Sequence, residues 1–232
     1  MTDADIIFWT DLKGLPEIEP IKPAIKFLPE WFKNVPLYPP DSNLNPDLHL
    51  GTIKQCPGFI DLFKKGFVVP LWCDLYLEIK ETEIKWKTPN DKFIFSFHNN
   101  VQFKDHLPSH AQKNVIAVLK TICPWRVRTP PEISLLQLPM LYHYNPHFTV
   151  ASGIVDTDIY HEINQQMIFH KIENIKIKRG TPLCMYIPFR REEFNYIVRE
   201  TNSTDEKIQN KHFFDSSSKF SGFYQQRQKG NK

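Results

Sequence analysis

Glycine, cysteine and long apolar runs are all scarce in this sequence of 232 residues. It contains only 8 glycines and 4 cysteines, and no apolar run approaches the roughly 18 residues that a membrane-spanning helix needs. The sequence has no glycine-rich phosphate loop, no Gly-x-Ser-x-Gly nucleophile elbow and no Cys-x-x-Cys pair. The formal net charge of +3 is too small to predict nucleic-acid binding by itself. The function must therefore be argued from other features.

The cysteines and the N-terminal residues both bear on where the protein resides. The four cysteines, Cys56, Cys73, Cys123 and Cys184, lie far apart in the sequence. Because free cysteine prefers buried positions, we interpret them as four buried thiols in a reducing compartment. Residues 1–5 are acidic and lack the basic region and cleavage site of a signal peptide. We therefore expect an intracellular protein.

Proline and aromatic residues are abundant, with 19 prolines, 18 phenylalanines and an aromatic content of 13%. Proline is excluded from helix interiors and from central strands, so its abundance predicts many short elements joined by stiff loops. Residues 1–50 are predicted to form a proline-rich N-terminal wrap that is part of the main domain. Within it, Pro29 is expected to open a single helical turn, since proline suits the first helical position.

Short β-branched and aromatic segments recur from residue 51 onward, at a spacing of about ten residues. The predicted strands are residues 52–55, 67–71, 74–79, 83–87, 93–97, 115–119, 125–128, 133–136, 148–155, 165–169, 172–177 and 183–187. Residues 59–66 are predicted to form a short helix that ends at glycine. Such strand spacing is typical of a sandwich or barrel. The predicted fold class is therefore mostly β, with a jelly-roll or barrel-like core over residues 51–201.

The hydrophobic period changes near the C-terminus. Phe194, Ile197 and Val198 are spaced as on one face of a helix, and Glu192 and Glu193 fit its first turn, so we predict a helix over residues 190–201. Residues 202–232 are polar and lose periodicity, and we predict a mobile tail. This tail is basic and aromatic toward its end, which offers single-stranded nucleic acid a site for stacking.

An acidic turn and an Arg-Gly turn lie among the predicted strands. The segment Gly153-Ile-Val-Asp156 places a carboxylate at the end of a strand, and Arg179-Gly180 closes a later hairpin, because glycine adopts positive φ freely. This pair resembles the β-clip pattern of the dUTP pyrophosphatase and dCTP deaminase group, and Asp74-Leu-Tyr76 is similar to its early Asp-Leu motif. The resemblance implies a β-clip fold and assembly into oligomers, often trimers. It also implies that Asp156 binds a deoxyribose hydroxyl or activates water.

This chain departs from that group at the positions that bind the nucleotide. Ile159 replaces the tyrosine that stacks on uracil, His161 replaces the second glycine, and Cys184-Met185 replaces the glutamine of the last strand. The phosphate-binding Arg-Ser-Gly is missing, since residues 136–140 are Leu-Gln-Leu-Pro-Met. A triphosphate would then lack the donors that neutralise it. The resemblance therefore implies a fold more strongly than an activity.

A second resemblance covers residues 125–192. The segments that carry it are Arg126-Val-Arg128-Thr-Pro-Pro131, Gly153-Ile-Val-Asp156-Thr-Asp158 and Gly180-Thr-Pro182. They are similar to segments of uncharacterised families in bacteria and tailed phages, although Glu132 stands where those families have glycine. This resemblance implies a phage-encoded protein that resides in the cytoplasm of the host cell or in the virion.

Several kinds of site remain open from the sequence. Asp156 and Asp158 share one strand face and are candidate catalytic carboxylates together with His161, although aspartates also cap ordinary turns. A cupin-like iron site would use His161, His170 and Asp156, but the sequence has no His-x-His or His-x-Asp pair here. The other interpretation is that these histidines are hydrogen-bonded or exposed and bind no metal.

The leading hypothesis is a non-catalytic oligomeric β-protein, phage-encoded, that acts by binding or in particle assembly. Its expected partners are further copies of the chain and virion or assembly components, without a membrane. The candidate binding residues are Arg128, in the Arg-Thr-Pro-Pro segment, and Arg179, in the Arg-Gly turn. The alternatives are a cupin-like non-heme iron oxygenase and a diverged β-clip nucleotide hydrolase centred on Asp156. Nucleic-acid binding through Arg227, Lys229 and Lys232 of the tail is a third.

Overall fold

The computed structural model describes residues 5–39, 51–81, 83–92 and 95–218. Within these ranges the chain is mostly β, with fourteen strands and five α-helices, of which only the last exceeds eight residues. The chain divides into two units, Met1–Arg191 and Glu192–Lys232, and the described strands all belong to the first. The predicted fold class, mostly β with short helices, is confirmed.

The strands and helices have the following bounds. The strands are β1 (Ile7–Thr10), β2 (Lys22–Pro23), β3 (Phe67–Pro70), β4 (Leu75–Ile79), β5 (Ile84–Lys87), β6 (Phe95–His98), β7 (Ala117–Thr121), β8 (Trp125–Arg128), β9 (Ile133–Pro139), β10 (Phe148–Val150), β11 (Gly153–Val155), β12 (Gln165–Phe169), β13 (Glu173–Ile177) and β14 (Pro182–Arg190). The helices are α1 (Leu15–Ile18), α2 (Glu30–Asn34), α3 (Pro57–Lys64), α4 (Ser109–Gln112) and α5 (Ser203–Ser218). Short 3-10 helices occupy Ala24–Phe27, Ile53–Gln55, Asn100–Gln102 and Lys104–His106.

The strands form four antiparallel sheets. The largest has the order β11-β9-β14-β3-β2, the second β10-β12-β7-β6 and the third β13-β4-β5, while β1 pairs with β8. Each sheet keeps two edge strands within the described ranges, so none of them closes into a barrel. The five-stranded sheet carries the candidate site, because β9, β11 and β14 are neighbours in it.

The alternation of side chains explains how these strands form. In β4, the apolar residues Leu75, Leu77 and Ile79 are buried, whereas Tyr76 and Glu78 point to the opposite face, as the two-residue period of a strand requires. β14 differs because it lies in the middle of its sheet. Its residues 183–186 are all buried, which is the pattern of a strand covered on both faces.

The core consists of two apolar clusters, and β14 contributes to both. Cys184 and Tyr186 belong to the larger cluster, which also includes Leu119, Leu135 and Phe169. Met185, which points the other way, belongs to a smaller cluster built on the aromatic residues of α2 and α3. Burial of a large apolar side chain contributes about 1.5–3 kcal/mol to the stability of the fold. Because β14 has buried side chains in both clusters, it joins them through one backbone.

The proline-rich N-terminal segment contributes strands of its own. β1 pairs with β8 over four residues, and β2 pairs with β3 at the edge of the largest sheet. Pro23 fits this edge because a proline there has no N–H to donate to a further strand. A helix follows Pro29 as expected, but α2 begins at Glu30 and Pro29 is its N-cap. The helix predicted at residues 59–66 is α3, which begins earlier, at Pro57, and ends at Lys64.

The helix predicted over residues 190–201 is wrong. β14 continues to Arg190, residues 192–202 form neither helix nor strand, and α5 begins only at Ser203. Two causes act together. Phe194, Tyr196, Ile197 and Val198 favour strands more than helices. Their side chains are also largely exposed, so a helix here would gain nothing from packing an apolar face.

Other predictions need smaller corrections. The strand predicted at residues 52–55 is a 3-10 helix, and the strand predicted at residues 148–155 is divided into β10 and β11. In the tail, residues 203–218 form α5, whereas Arg227, Lys229 and Lys232 lie outside the described residues. No helix in the described ranges is both long enough and apolar enough to cross a membrane.

Candidate functional site

Asp156 and Asp158 lie in the tight turn that follows β11. The backbone N–H groups of Ile159 and Tyr160 both donate to the carbonyl of Asp156, at 3.0 and 2.8 Å. Beneath the turn, the hydroxyls of the buried Thr129 and Thr157 lie 2.9 Å apart and share a hydrogen bond. The turn is therefore fixed both by its own backbone and by a buried contact to the loop before β9.

The side chain of Arg191, directly after β14, joins the two aspartates. Its Nη1 and Nη2 donate to Asp158 Oδ1 and Oδ2 at 2.8 and 2.5 Å, which is the two-bond geometry that a guanidinium forms with a carboxylate. Nη1 also donates to Ser134 Oγ at 2.9 Å and lies 3.3 Å from Asp156 Oδ1. One cation thus serves both carboxylates.

Ser134 completes this arrangement from β9. Its hydroxyl accepts from Arg191 and donates to Asp156 Oδ1 at 2.6 Å, so the donor and acceptor roles of this buried group are both used. The backbone N–H of Glu132 donates to Asp158 Oδ2 at 2.9 Å. Glu132 has φ of 62°, a conformation that glycine adopts more easily. We name the set Ser134, Asp156, Asp158 and Arg191 the aspartate corner.

The environment of Asp158 settles its protonation state. Its side chain is only 11% exposed. The hydrogen bonds from Arg191 are the main cause that lowers the pKa of Asp158 to about 2, and the N–H of Glu132 adds to the effect. Asp158 is therefore ionised at neutral pH, with both carboxylate oxygens engaged. Asp156 is about half exposed, and its Oδ1 is engaged by Ser134 and Arg191.

The two candidate histidines make separate contacts. His161 Nδ1 lies 2.9 Å from the carbonyl of Thr157, and its ring packs edge-on against Trp9 with centroids 5.4 Å apart. His170 uses both ring nitrogens, Nδ1 toward the carbonyl of Asn114 at 2.9 Å and Nε2 toward Thr149 Oγ1 at 2.8 Å. The described residues contain no group of three or more His, Cys, Asp or Glu placed to hold a metal ion. The trio His161, His170 and Asp156 is thus not brought together.

The two candidate arginines also lie apart. Arg128 is exposed at the end of β8, opposite Ile7. Arg179 lies in the turn before β14, where its backbone N–H donates to Asp74 Oδ1 at 2.8 Å. Asp74 in turn pairs with Lys176 at 2.7 Å. The structure therefore joins the Asp-Leu segment to the Arg-Gly turn, but Asp156 lies in the separate aspartate corner.

A cavity of about 890 Å³ lies beside the Arg-Gly turn. Its walls come from four stretches of chain, residues 11–18, 72–74, 89–92 and 178–179. Its volume is within the range of small-molecule sites. Among the candidate residues, only Arg179 borders this cavity. The sequence did not predict the cavity, because no local pattern links such distant segments.

A buried hydrogen-bond network also escaped the sequence patterns. The hydroxyl of Tyr186 donates to Gln137 Oε1 at 2.6 Å and accepts from Gln165 Nε2 at 3.1 Å. Gln165 Oε1 accepts from Thr121 Oγ1 at 2.7 Å. Since Tyr186 and Gln137 belong to the five-stranded sheet and Gln165 and Thr121 to the four-stranded sheet, the network joins the two sheets. Burial raises the pKa of Tyr186 well above its ordinary value.

The cysteines correct one expectation. All four are free thiols, and Cys73 and Cys184 are buried as predicted, but Cys123 is half-buried and Cys56 is exposed. Cys56 is the N-cap residue of α3, and its side chain lies at the surface.

Neither the models of known protein families nor the sequences of curated proteins give a significant match to this chain.

Proposed function

We propose that this chain is a non-catalytic oligomeric β-protein that acts by binding or in particle assembly. We further propose that residues 192–202, here named the arm, are the segment through which copies associate. The observation that carries the proposal is the exposure of Phe194, Tyr196, Ile197 and Val198, which ranges from 79% to 88%. Single exposed apolar residues are ordinary, but a continuous exposed group of this kind marks an interaction surface.

The order of residues in the arm supports addition as a strand. In an extended chain, Phe194, Tyr196 and Val198 point to one side, because successive side chains alternate. Extended segments of this kind bind by adding to the exposed edge of a sheet. β11 offers such an edge, since among the described strands it pairs with β9 alone. Ile154 in β11 is 63% exposed, and we propose that it contacts the arm of a second copy.

The energies favour reciprocal exchange over a single contact. Burying the three side chains that point to one side contributes roughly 4.5–9 kcal/mol, at about 1.5–3 kcal/mol each. Bringing two molecules together costs an estimated 4–15 kcal/mol. One arm therefore gives marginal association, whereas two exchanged arms, or a closed ring in which every copy gives and receives one, give a stable assembly. The proposal accordingly predicts a closed oligomer.

The aspartate corner supports the non-catalytic part of this proposal. Asp158 is held by Arg191 with both of its oxygens engaged, which is the arrangement of a structural ion pair. The resemblances of residues 125–192 lead us to propose further that the fold is of the β-clip type. They also lead us to propose that the protein is phage-encoded and resides in the host cytoplasm or the virion.

The test is the mass of the full-length protein in solution, measured by light scattering after size exclusion. We expect a multiple of 27.4 kDa for the wild type, and a monomer for the triple variant Phe194→Ser, Tyr196→Ser, Val198→Ser at the same concentration. Ile208→Ser, which changes an exposed apolar residue of α5, is the matched control and should leave the oligomer intact. A monomeric wild type, or a triple variant of unchanged mass, contradicts the proposal.

A further inference from the structure

The cavity beside the Arg-Gly turn has an unusual distribution of charge. Four cationic side chains border it, those of Lys13, Lys92, Lys178 and Arg179. In the part of the chain that the structure describes, no salt bridge engages Lys13, Lys92 or Lys178. These three lysines therefore border one cavity with charges that no carboxylate within the described residues pairs with.

Two of the three carboxylates that border the same cavity are already neutralised. Asp11 pairs with Arg126, and Asp74 pairs with Lys176 at 2.7 Å. Neither Arg126 nor Lys176 borders the cavity. Asp91 is the third carboxylate, so the charges that remain to meet a ligand are predominantly positive. Such a cleft concentrates anions by attraction.

Apolar side chains also line the cavity. They are the half-buried Trp72 together with Leu12, Ile18 and Pro89. Ile18 is more than half exposed even though the adjacent Leu15 is buried. A large aromatic side chain with a few polar groups around it is typical of small-molecule sites.

We propose that this cavity, here named the anion pocket, binds a small organic anion. The apolar, flat part of the ligand packs on Trp72 and Ile18, and its acidic group lies among Lys13, Lys92 and Lys178. The proposal is independent of the arm and of assembly. An inorganic anion lacks the flat part and an uncharged aromatic compound lacks the acid, so each satisfies only half of the pocket.

The experiment is calorimetric titration of the full-length protein with 1-naphthyl phosphate. Inorganic phosphate and 1-naphthol serve as the two half-ligands. We expect saturable binding of 1-naphthyl phosphate with one site per chain, affinities at least about tenfold weaker for either half-ligand, and weakening by salt. The double variant Lys13→Glu, Lys178→Glu should lose about tenfold or more in affinity. Lys113→Glu, an exposed lysine outside the pocket, should bind as the wild type does.

Three results would overturn the proposal. The first is the absence of saturable binding of 1-naphthyl phosphate. The second is binding of 1-naphthol with the same affinity as 1-naphthyl phosphate, which would show that the lysines do not contribute to binding. The third is unchanged affinity in the double variant when its melting temperature matches that of the wild type. Should the double variant melt at a lower temperature, the single variant Lys178→Gln replaces it, with a smaller loss expected at the same site.

Discussion

The guanidinium of Arg191 forms two parallel hydrogen bonds with the carboxylate of Asp158, at 2.8 and 2.5 Å. The two residues are 33 positions apart in the sequence, and the bond joins the end of β14 to the turn after β11. Because the same Nη1 also contacts Ser134 and Asp156, removal of this one side chain leaves two carboxylates side by side without their cation.

Arg191→Gln should therefore lower the melting temperature by several degrees. The melting temperature of Arg191→Lys should lie between those of Arg191→Gln and the wild type, because lysine keeps the charge but cannot form the planar pair of bonds. Arg128→Gln is the matched control, since Arg128 is exposed on β8 and forms no salt bridge within the described residues. Thermal unfolding followed by circular dichroism measures all three, and equal melting temperatures for Arg191→Gln and Arg128→Gln would disprove a stabilising role.

Acid should weaken the same corner over a defined range. The pKa of Asp158 is lowered in the folded protein from 3.8 to about 2. A depressed carboxyl pKa stabilises the fold above the unfolded value, and this contribution is lost as the pH falls through the folded value. Asp158→Asn should thus be less stable than the wild type near neutral pH, with the difference shrinking between about pH 4 and pH 2.

Urea unfolding at several pH values measures this difference. Asp105→Asn, at an exposed position, is the control and should remain close to the wild type throughout. A difference between Asp158→Asn and the wild type that stays constant down to pH 2 would show that the ion pair is not its source.

The hydroxyl of Tyr186 should contribute to stability from inside the core. Tyr186→Phe removes the donor to Gln137 and the acceptor of Gln165, and the buried amides then lack a partner. Such a loss costs about 1–3 kcal/mol of the free energy of unfolding. Tyr160→Phe removes an exposed hydroxyl that donates to Glu162, and its effect should stay within about 0.5 kcal/mol. Chemical denaturation of both variants decides whether the network stabilises the joined sheets.

The four thiols should differ sharply in reactivity. Burial raises the pKa of Cys73 and Cys123 to about 11, with the charge of Asp74 adding to the effect at Cys73, and it raises that of Cys184 further. Since the thiolate is the reactive form, we expect Cys56 alone to react rapidly in the native protein. A disulfide reagent with a coloured product should then report one fast thiol per chain, none in Cys56→Ser, and four after unfolding in the wild type.

Much of the fold could be predicted from the sequence because its signals are local. The two-residue alternation in β4 and the punctuation by proline both act within a few residues. The helix predicted at residues 190–201 is wrong because a local pattern does not show whether an apolar face is buried. Phe194, Ile197 and Val198 have the spacing of a helical face, but their side chains are exposed in the structure.

The candidate site was less accessible to sequence analysis because it depends on contacts between distant segments. Asp156 and Asp158 were found from their strand-and-turn pattern, yet their partner Arg191 was not singled out, since nothing local links it to them. The anion pocket shows the same limit. Lys13, Lys92 and Lys178 come from three loops, and only the folded chain brings them to the same cavity as Trp72.

The position of Arg191 makes the aspartate corner a boundary of the first unit. Arg191 is the last residue of that unit, and the arm begins at the next residue. Its paired bonds to Asp158 hold the chain directly after β14, whose pairing with β9 runs over seven residues. Fraying of the chain from its C-terminal side must therefore break the pair between Arg191 and Asp158 before it reaches this strand.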